Sequence, residues 1–168
     1  MGLIDFFREN KKLEKLKIDD NDIVSMADGQ IIDVTKLPDA VFSKQMLGKS
    51  IAFEYNEDKV MICSPANGTV SMLFPTGHTF GITTNEGVEL LVHIGIDTVR
   101  QNGEGFKVKP ISQGDKINAG DPVVSVDMKK LKKKYDMSVI LIVTNSNNKQ
   151  IDFIGFQEIK RCQSLLRK

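Results

Sequence analysis

Apolar and polar residues alternate between Gly87 and Val99, which is the pattern of a half-buried β-strand. Successive strand side chains point to opposite faces, so one face is uniformly apolar and carries Val88, Leu90, Val92, Ile94 and Ile96. The other face is mixed and carries Glu89, Leu91, His93, Gly95 and Asp97. The pattern predicts a core-facing side and a side that presents His93. Beside it, the bare backbone of a glycine would let a large partner approach.

The chain from Ile23 onward reads as short strands separated by Gly, Pro, Asn and Asp. A weak internal repeat places Asp28-Gly29 and Asn67-Gly68 before β-branched residues, which is typical of hairpin turns. Many short strands at this spacing predict an all-β fold, an antiparallel β-sandwich or barrel. The interior helix candidates, residues 39–46 and 129–134, are both short.

The first 20 residues differ from the rest. Apolar residues (Leu3, Ile4, Phe6, Phe7) precede lysines (Lys11, Lys12, Lys15, Lys17). This predicts an amphipathic arm that either lies on an anionic membrane surface or packs on protein. The acidic stretch at 19–22 indicates a linker, so we expect an arm at 1–20 and one domain at 21–168.

Composition limits the classes of function. The 168 residues carry a net charge of +1, which gives no overall field for nucleic acid, and the lysine run at 129–134 is typical of a solvated face. Cys63 and Cys162 lack metal-binding spacing and suggest reduced structural thiols. No apolar run reaches transmembrane length, and the N-terminus is not a signal peptide, so we expect a cytoplasmic protein.

The chain has two histidines, His78 and His93. They are separated by fifteen positions, with turn residues at 85–87 between them, which is what a hairpin needs to place the two side chains side by side. A neutral imidazole can accept a phosphoryl group on one ring nitrogen while the other is held by a hydrogen bond. From the residues alone, a structural role remains open, as does a metal site that would lack further ligands.

The segment from Gly87 to Val99 resembles the phosphorylation site of the glucose-family IIA component of the bacterial phosphoenolpyruvate-dependent sugar phosphotransferase system. The matching positions are Gly87, the apolar run 90–92, His93, Ile94, Gly95, Ile96, Thr98 and Val99. Residues 38–42, 76–78 and 103–106 also look like landmarks of this family. The resemblance implies an antiparallel β-sandwich with duplicated halves.

The resemblance also implies roles for individual residues. His93 would take a phosphoryl group from the carrier HPr, as a tele-phosphohistidine, and pass it to a cysteine of a sugar-specific IIB domain. His78 would stabilise the phosphoryl group, and Thr76 would orient His78. The docking surface would comprise Val41, Phe42, Phe74, Leu91, Gly95 and Val99, with Asp39 and Asp97 at its edge. Leu91 stands where family members often carry phenylalanine, and the chain departs from the family after Asn145.

Other classes of function remain open beside this one. A regulator controlled by its phosphorylation state is the alternative function. A biotin- or lipoyl-type carrier is disfavoured because Lys129 follows the turn at 113–121 that it should precede. A zinc peptidase lacks a third ligand, although His78 and His93 could bind zinc adventitiously, with no cofactor required. Partners are expected to be proteins, with transient membrane association through the arm or a permease and no nucleic acid.

Overall fold

The computed structural model describes residues 14–168. The part of the predicted arm that carries Leu3, Ile4, Phe6, Phe7, Lys11 and Lys12 lies outside these residues. The described chain forms eleven strands, all paired antiparallel: β1 (Gly29–Ile32), β2 (Lys49–Glu54), β3 (Lys59–Cys63), β4 (Gly68–Leu73), β5 (Thr79–Thr84), β6 (Glu89–Ile94), β7 (Phe106–Val108), β8 (Lys116–Ile117), β9 (Pro122–Asp127), β10 (Val139–Asn145) and β11 (Glu158–Ile159).

The strands form two sheets. The large sheet has eight strands in the order β11-β1-β2-β10-β6-β5-β4-β8, and the small sheet has the order β3-β9-β7. The main core contains residues of both sheets, among them Phe53, Phe80 and Ile62, none of which is exposed. The predicted all-β sandwich is confirmed.

Short helices join some of the strands. The two predicted helices form as α1 (Ala40–Ser43) and α2 (Met128–Leu131), both shorter than their predicted ranges. Two 3₁₀ helices that the sequence pattern did not indicate lie at η1 (Val34–Lys36) and η2 (Thr98–Gln101). Within residues 14–168, no helix is long and apolar enough to cross a membrane.

Strand β10 is buried on both faces. Leu141 contributes to the main core, whereas Ile140 and Ile142 belong to a smaller apolar cluster. Strand side chains alternate, so this smaller cluster lies on the opposite face of the large sheet, where Val34 of η1 and Phe42 of α1 complete it. An unbroken apolar run is what a strand buried on both sides requires.

Both ends of the described chain are tied to the sandwich. Near the N-terminal end, the Asp20 carboxylate accepts hydrogen bonds from Asn67 and Asn85, at 3.1 and 2.9 Å. These two asparagines lie at the end of the β4–β5–β6 meander that is remote from His93. The residues after 145 add β11 to the edge of the large sheet and bury Leu165 completely.

Candidate functional site

His93 is placed by the pairing of β6 with both of its neighbours. It lies opposite Thr79 on β5 and Ile140 on β10, so it shares a face of the large sheet with the smaller apolar cluster. The predicted alternation is confirmed for Val88, Leu90, Val92 and Ile94, which are all buried in the main core. The expectation that Ile96 shares their face is wrong: β6 ends at Ile94, Gly95 turns the chain at φ +80°, and Ile96 is buried in the smaller apolar cluster. His93 therefore stands on an apolar floor with its ring partly accessible.

His78 immediately precedes β5 and lies beside His93. The His78 carbonyl accepts a hydrogen bond from the Ile94 amide at 2.8 Å, which fixes the two segments together. The two imidazole rings meet edge to face, with their centroids 5.6 Å apart. The side-by-side placement predicted from the hairpin is confirmed.

The Nδ1 atoms of both rings have defined partners. Nδ1 of His93 lies 2.8 Å from the Gly95 carbonyl oxygen. A carbonyl only accepts, so in the neutral ring the proton is on Nδ1 and the lone pair is on Nε2. Nδ1 of His78 lies 2.7 Å from the Thr76 hydroxyl, which can either donate or accept.

Two phenyl rings enclose the histidine pair. Phe42 packs on His93 with ring centroids 4.8 Å apart, and Phe74 meets His78 at 5.3 Å.

Burial among these groups lowers the pKa of both histidines. At His93, repulsion from His78 lowers the pKa further, while the bond to Gly95 and the charges of Asp39 and Asp97 raise it. Both imidazoles are consequently biased towards the neutral form that phosphoryl acceptance needs.

The apolar surface around the pair differs in part from the predicted one. Four residues are at least partly exposed and are called the apolar rim from here on: Val41, Phe74, Leu91 and Val99. Phe42 was expected in the docking surface, but only 7% of it is exposed. The Phe42 ring faces inward against His93 and the smaller apolar cluster, so it offers a partner less surface than expected.

Gly95 also differs from its prediction. The residue is buried, and a Cβ placed on it would lie 2.4 Å from Thr98 Cγ2 and 2.9 Å from Met137 Sδ. The expectation that its bare backbone admits a partner is therefore wrong. Glycine is needed here because φ is +80° and because the two side chains pack directly on Cα.

The two carboxylates at the edge are arranged differently. Asp97 is exposed and adopts a left-handed conformation at φ +61°. Asp39 is half-buried and caps α1 by accepting a hydrogen bond from the Val41 amide at 2.8 Å. Asp39 thus has a local structural task in addition to its charge.

Sequence reasoning missed two exposed apolar residues that follow α1. Met46 and Leu47 are 67% and 46% exposed, and the Met46 amide donates to the Val41 carbonyl at 3.0 Å. The available signal was two consecutive apolar residues at the end of a predicted helix that is too short to bury them.

A family model described as phosphoenolpyruvate-dependent sugar phosphotransferase system, EIIA 1, matches residues 21–149. The chain belongs to this family. It is therefore an EIIA component of the phosphotransferase system, a class of domain that relays phosphoryl groups. The family resemblance stated from the motif around His93 is confirmed.

Relatives and a solved structure agree with this membership. The glucose-specific EIICBA component of Staphylococcus carnosus is 34% identical over 134 residues, 79% of this chain and 19% of that protein. The β-glucoside-specific EIIBCA component of Bacillus subtilis is 40% identical over 136 residues, 80% of this chain and 22% of that protein. The EIIA chain thus spans about a fifth of the curated relatives it matches.

The glucose permease IIA of Mycoplasma capricolum has a similar structure, with a TM-score of 0.79 and 35% sequence identity. The match covers 86% of this EIIA chain and 93% of that one.

Within residues 14–168, no group of three or more His, Cys, Asp or Glu side chains could hold a metal ion. The two imidazoles alone are short of the four ligands that zinc usually takes, so the zinc suggestion gains no support.

Proposed function

We propose that His93 accepts the phosphoryl group in this EIIA chain, with HPr as the donor and a cysteine of a sugar-specific IIB domain as the acceptor. The bond from Nδ1 of His93 to the Gly95 carbonyl carries the assignment, because it leaves the Nε2 lone pair free. The lowered pKa of His93 supports it further, since a protonated ring has no lone pair to offer.

Each transfer exchanges one bond to phosphorus for another. In the first, the Nε2 lone pair of His93 attacks phosphorus while the N–P bond of the donor phosphohistidine breaks and its electron pair stays on the donor nitrogen. In the second, a cysteine thiolate attacks phosphorus, and the Nε2–P bond breaks with its pair returning to Nε2. The proton on Nδ1 stays hydrogen-bonded to Gly95 throughout.

His78 is the residue we assign to stabilising the transferred group. If Thr76 donates its hydroxyl hydrogen to Nδ1 of His78, the proton of that ring lies on Nε2 and can be donated to a phosphoryl oxygen. The edge-to-face contact of the two rings supports this role, because it puts His78 next to the acceptor. A donor placed where negative charge accumulates lowers the barrier to transfer.

The apolar rim, with Met46 and Leu47, is the surface on which we place the protein partners. An apolar surface excludes water from a labile N–P bond, and the exposed charge of Asp97 and the half-buried Asp39 would attract basic partners.

We further propose that the domain comprises residues 21–168, follows an arm at 1–20 that can associate with membranes, and works in the cytoplasm.

The decisive experiment is phosphorylation by phosphoenolpyruvate, enzyme I and HPr. Wild type should gain one acid-labile phosphoryl group, His93→Ala should gain none, and His78→Gln should gain it but fail to pass it to IIB. Labelling of His93→Ala would refute the assignment, and loss of acceptance in His78→Gln would exchange the two roles. Circular dichroism of each variant provides the folding control.

A further inference from the structure

The Gly95 carbonyl determines which nitrogen of His93 is free, so whatever holds the Gly95 peptide also controls the acceptor. The peptide sits in a tight loop, with Gly95 at φ +80° and Asp97 at φ +61°. A left-handed conformation is unfavourable for a residue other than glycine, and such a loop persists only where its surroundings determine it. The residues that pack on this loop are therefore candidates for a functional role.

Thr98 contacts the loop in two ways. Its hydroxyl donates a hydrogen bond to the Ile94 carbonyl at 2.5 Å, and its methyl carbon lies against the Cα of Gly95. The side chain is completely buried. The Thr98 hydroxyl is thus hydrogen-bonded to the carbonyl of Ile94, whereas the carbonyl of Gly95 is hydrogen-bonded to the imidazole of His93.

Met137 closes the other side of the same peptide. Its sulfur packs on Gly95, and the residue is 5% exposed. Beside it, the Gly95 amide donates to the Ser138 carbonyl at 2.9 Å, and the Ile96 amide donates to the Asp136 carbonyl at 2.8 Å. The short segment 136–138 thus fixes the loop through two backbone bonds and one side chain.

We propose that Thr98 and Met137 are positioning residues for phosphoryl transfer, which hold the Gly95 carbonyl where it keeps the proton on Nδ1 of His93. The inference rests on the proposed function of His93. Within residues 14–168, neither side chain is hydrogen-bonded to the His93 ring, so each acts through the Gly95 peptide. If the carbonyl shifts, the neutral ring can move its proton to Nε2, and the nucleophilic lone pair is lost.

Two conservative substitutions separate the two contacts of Thr98. Thr98→Val keeps the shape and removes the hydroxyl, whereas Thr98→Ser keeps the hydroxyl and removes the methyl group. Met137→Leu keeps most of the packing, and Met137→Ala removes it. The control is Thr84→Val, because Thr84 is also buried and accepts a bond from the Val88 amide at 3.0 Å, at the opposite end of the β5–β6 hairpin.

The test measures the ¹⁵N signals of the His93 ring together with the rate of acceptance from phospho-HPr. Thr98→Val and Met137→Ala should show protonated Nε2 and a rate about tenfold lower, because small misplacements cost up to about a hundredfold. Thr98→Ser should show a smaller loss of the acceptance rate. Met137→Leu should keep the wild-type ¹⁵N signals and the wild-type rate. Thr84→Val should leave both unchanged, even if its melting temperature falls.

Outcomes against the inference are distinct from outcomes against the function. If Thr98→Val and Met137→Ala are less stable but keep wild-type ¹⁵N signals and rate, the two residues only pack and the inference fails. If Met137→Ala does not fold, Thr98→Val and Thr98→Ser decide the question. Labelling of His93→Ala would overturn the proposed function itself, whatever the Thr98 variants do.

Discussion

The Thr76 hydroxyl lies 2.7 Å from Nδ1 of His78, two residues along the chain. Removing this hydroxyl should leave His78 free to rotate and to change its tautomer, while His93 keeps its own bond to Gly95. Thr76→Val should therefore accept phosphate from phospho-HPr at close to the normal rate and transfer it onward about 10–100-fold more slowly. Single-turnover transfer to a IIB domain measures the effect, with His78→Gln as the reference. Slow acceptance with normal onward transfer would contradict this assignment.

Phe42 should matter more for stability than its position beside the site suggests. The residue is 7% exposed and packs on His93, so Phe42→Ala should cost about 3–5 kcal/mol of unfolding free energy. The matched control is Phe156→Ala, which removes a 69% exposed ring and should change stability by at most about 0.5 kcal/mol. Urea unfolding followed by circular dichroism compares the two. Equal effects would mean that Phe42 is not part of the packed floor.

Val99 tests the apolar rim without disturbing the core. The residue is 53% exposed, so Val99→Lys should fold normally, yet it places a cation where a basic partner is expected to dock. The KM for phospho-HPr should rise about tenfold, with little change in kcat. Phe156→Lys changes a residue that is also exposed and should leave the KM unaltered. An unchanged KM in Val99→Lys would place the docking surface elsewhere.

The free energy of unfolding should fall as the pH is lowered below about 6.5, the pKa of an unperturbed histidine. Burial lowers the pKa of His78 and His93 in the folded protein, so the unfolded chain takes up protons first. Their contribution is complete above about pH 6.5 and is lost progressively towards the lower folded values. The lowered carboxylate pKa values, as at Asp152, act only at more acidic pH.

The His78→Gln/His93→Gln double variant isolates this effect. The chain has only these two histidines, so the double variant should show a nearly flat unfolding free energy between about pH 6.5 and pH 5. Urea titrations at intervals of pH provide the measurement. A wild-type stability that rises on acidification in this range would contradict the lowered histidine pKa values.

The C-terminal stretch beyond the family match should be required for folding. It buries Ile151, Ile159 and Leu165, each of which stabilises the fold by roughly 1.5–3 kcal/mol. A chain truncated after Lys149 should therefore melt far below wild type or fail to fold. Removing only Lys168, which is exposed, is the control and should have no measurable effect. Thermal unfolding of the two truncations decides the matter.

The alternation around His93 was sufficient to predict β6 and its buried face, because strand parity is a local property. The hairpin spacing likewise predicted the meeting of His78 and His93. Both short helices were recognisable, although α1 and α2 end earlier than the patterns suggest. Each of these features depends on residues that are close in sequence.

The orientation of Phe42 and the packing of Gly95 depend on distant segments, which a local pattern does not contain. Phe42 turns inward because Ile140 and Ile142 of β10 offer an apolar surface about 100 residues later. Gly95 is covered by Met137, so its missing side chain serves close packing rather than access. In both cases the covering element is distant in sequence, so the local pattern could not indicate the burial.

The attachment of Asp20 to Asn67 and Asn85 has a mechanical consequence. A pull on the chain at Asp20 acts on the end of the β4–β5–β6 meander that is remote from His93, about 20 Å away for strands of six residues. Because this anchor lies at the far end of the meander, we expect residues 14–20 to leave the histidine face uncovered.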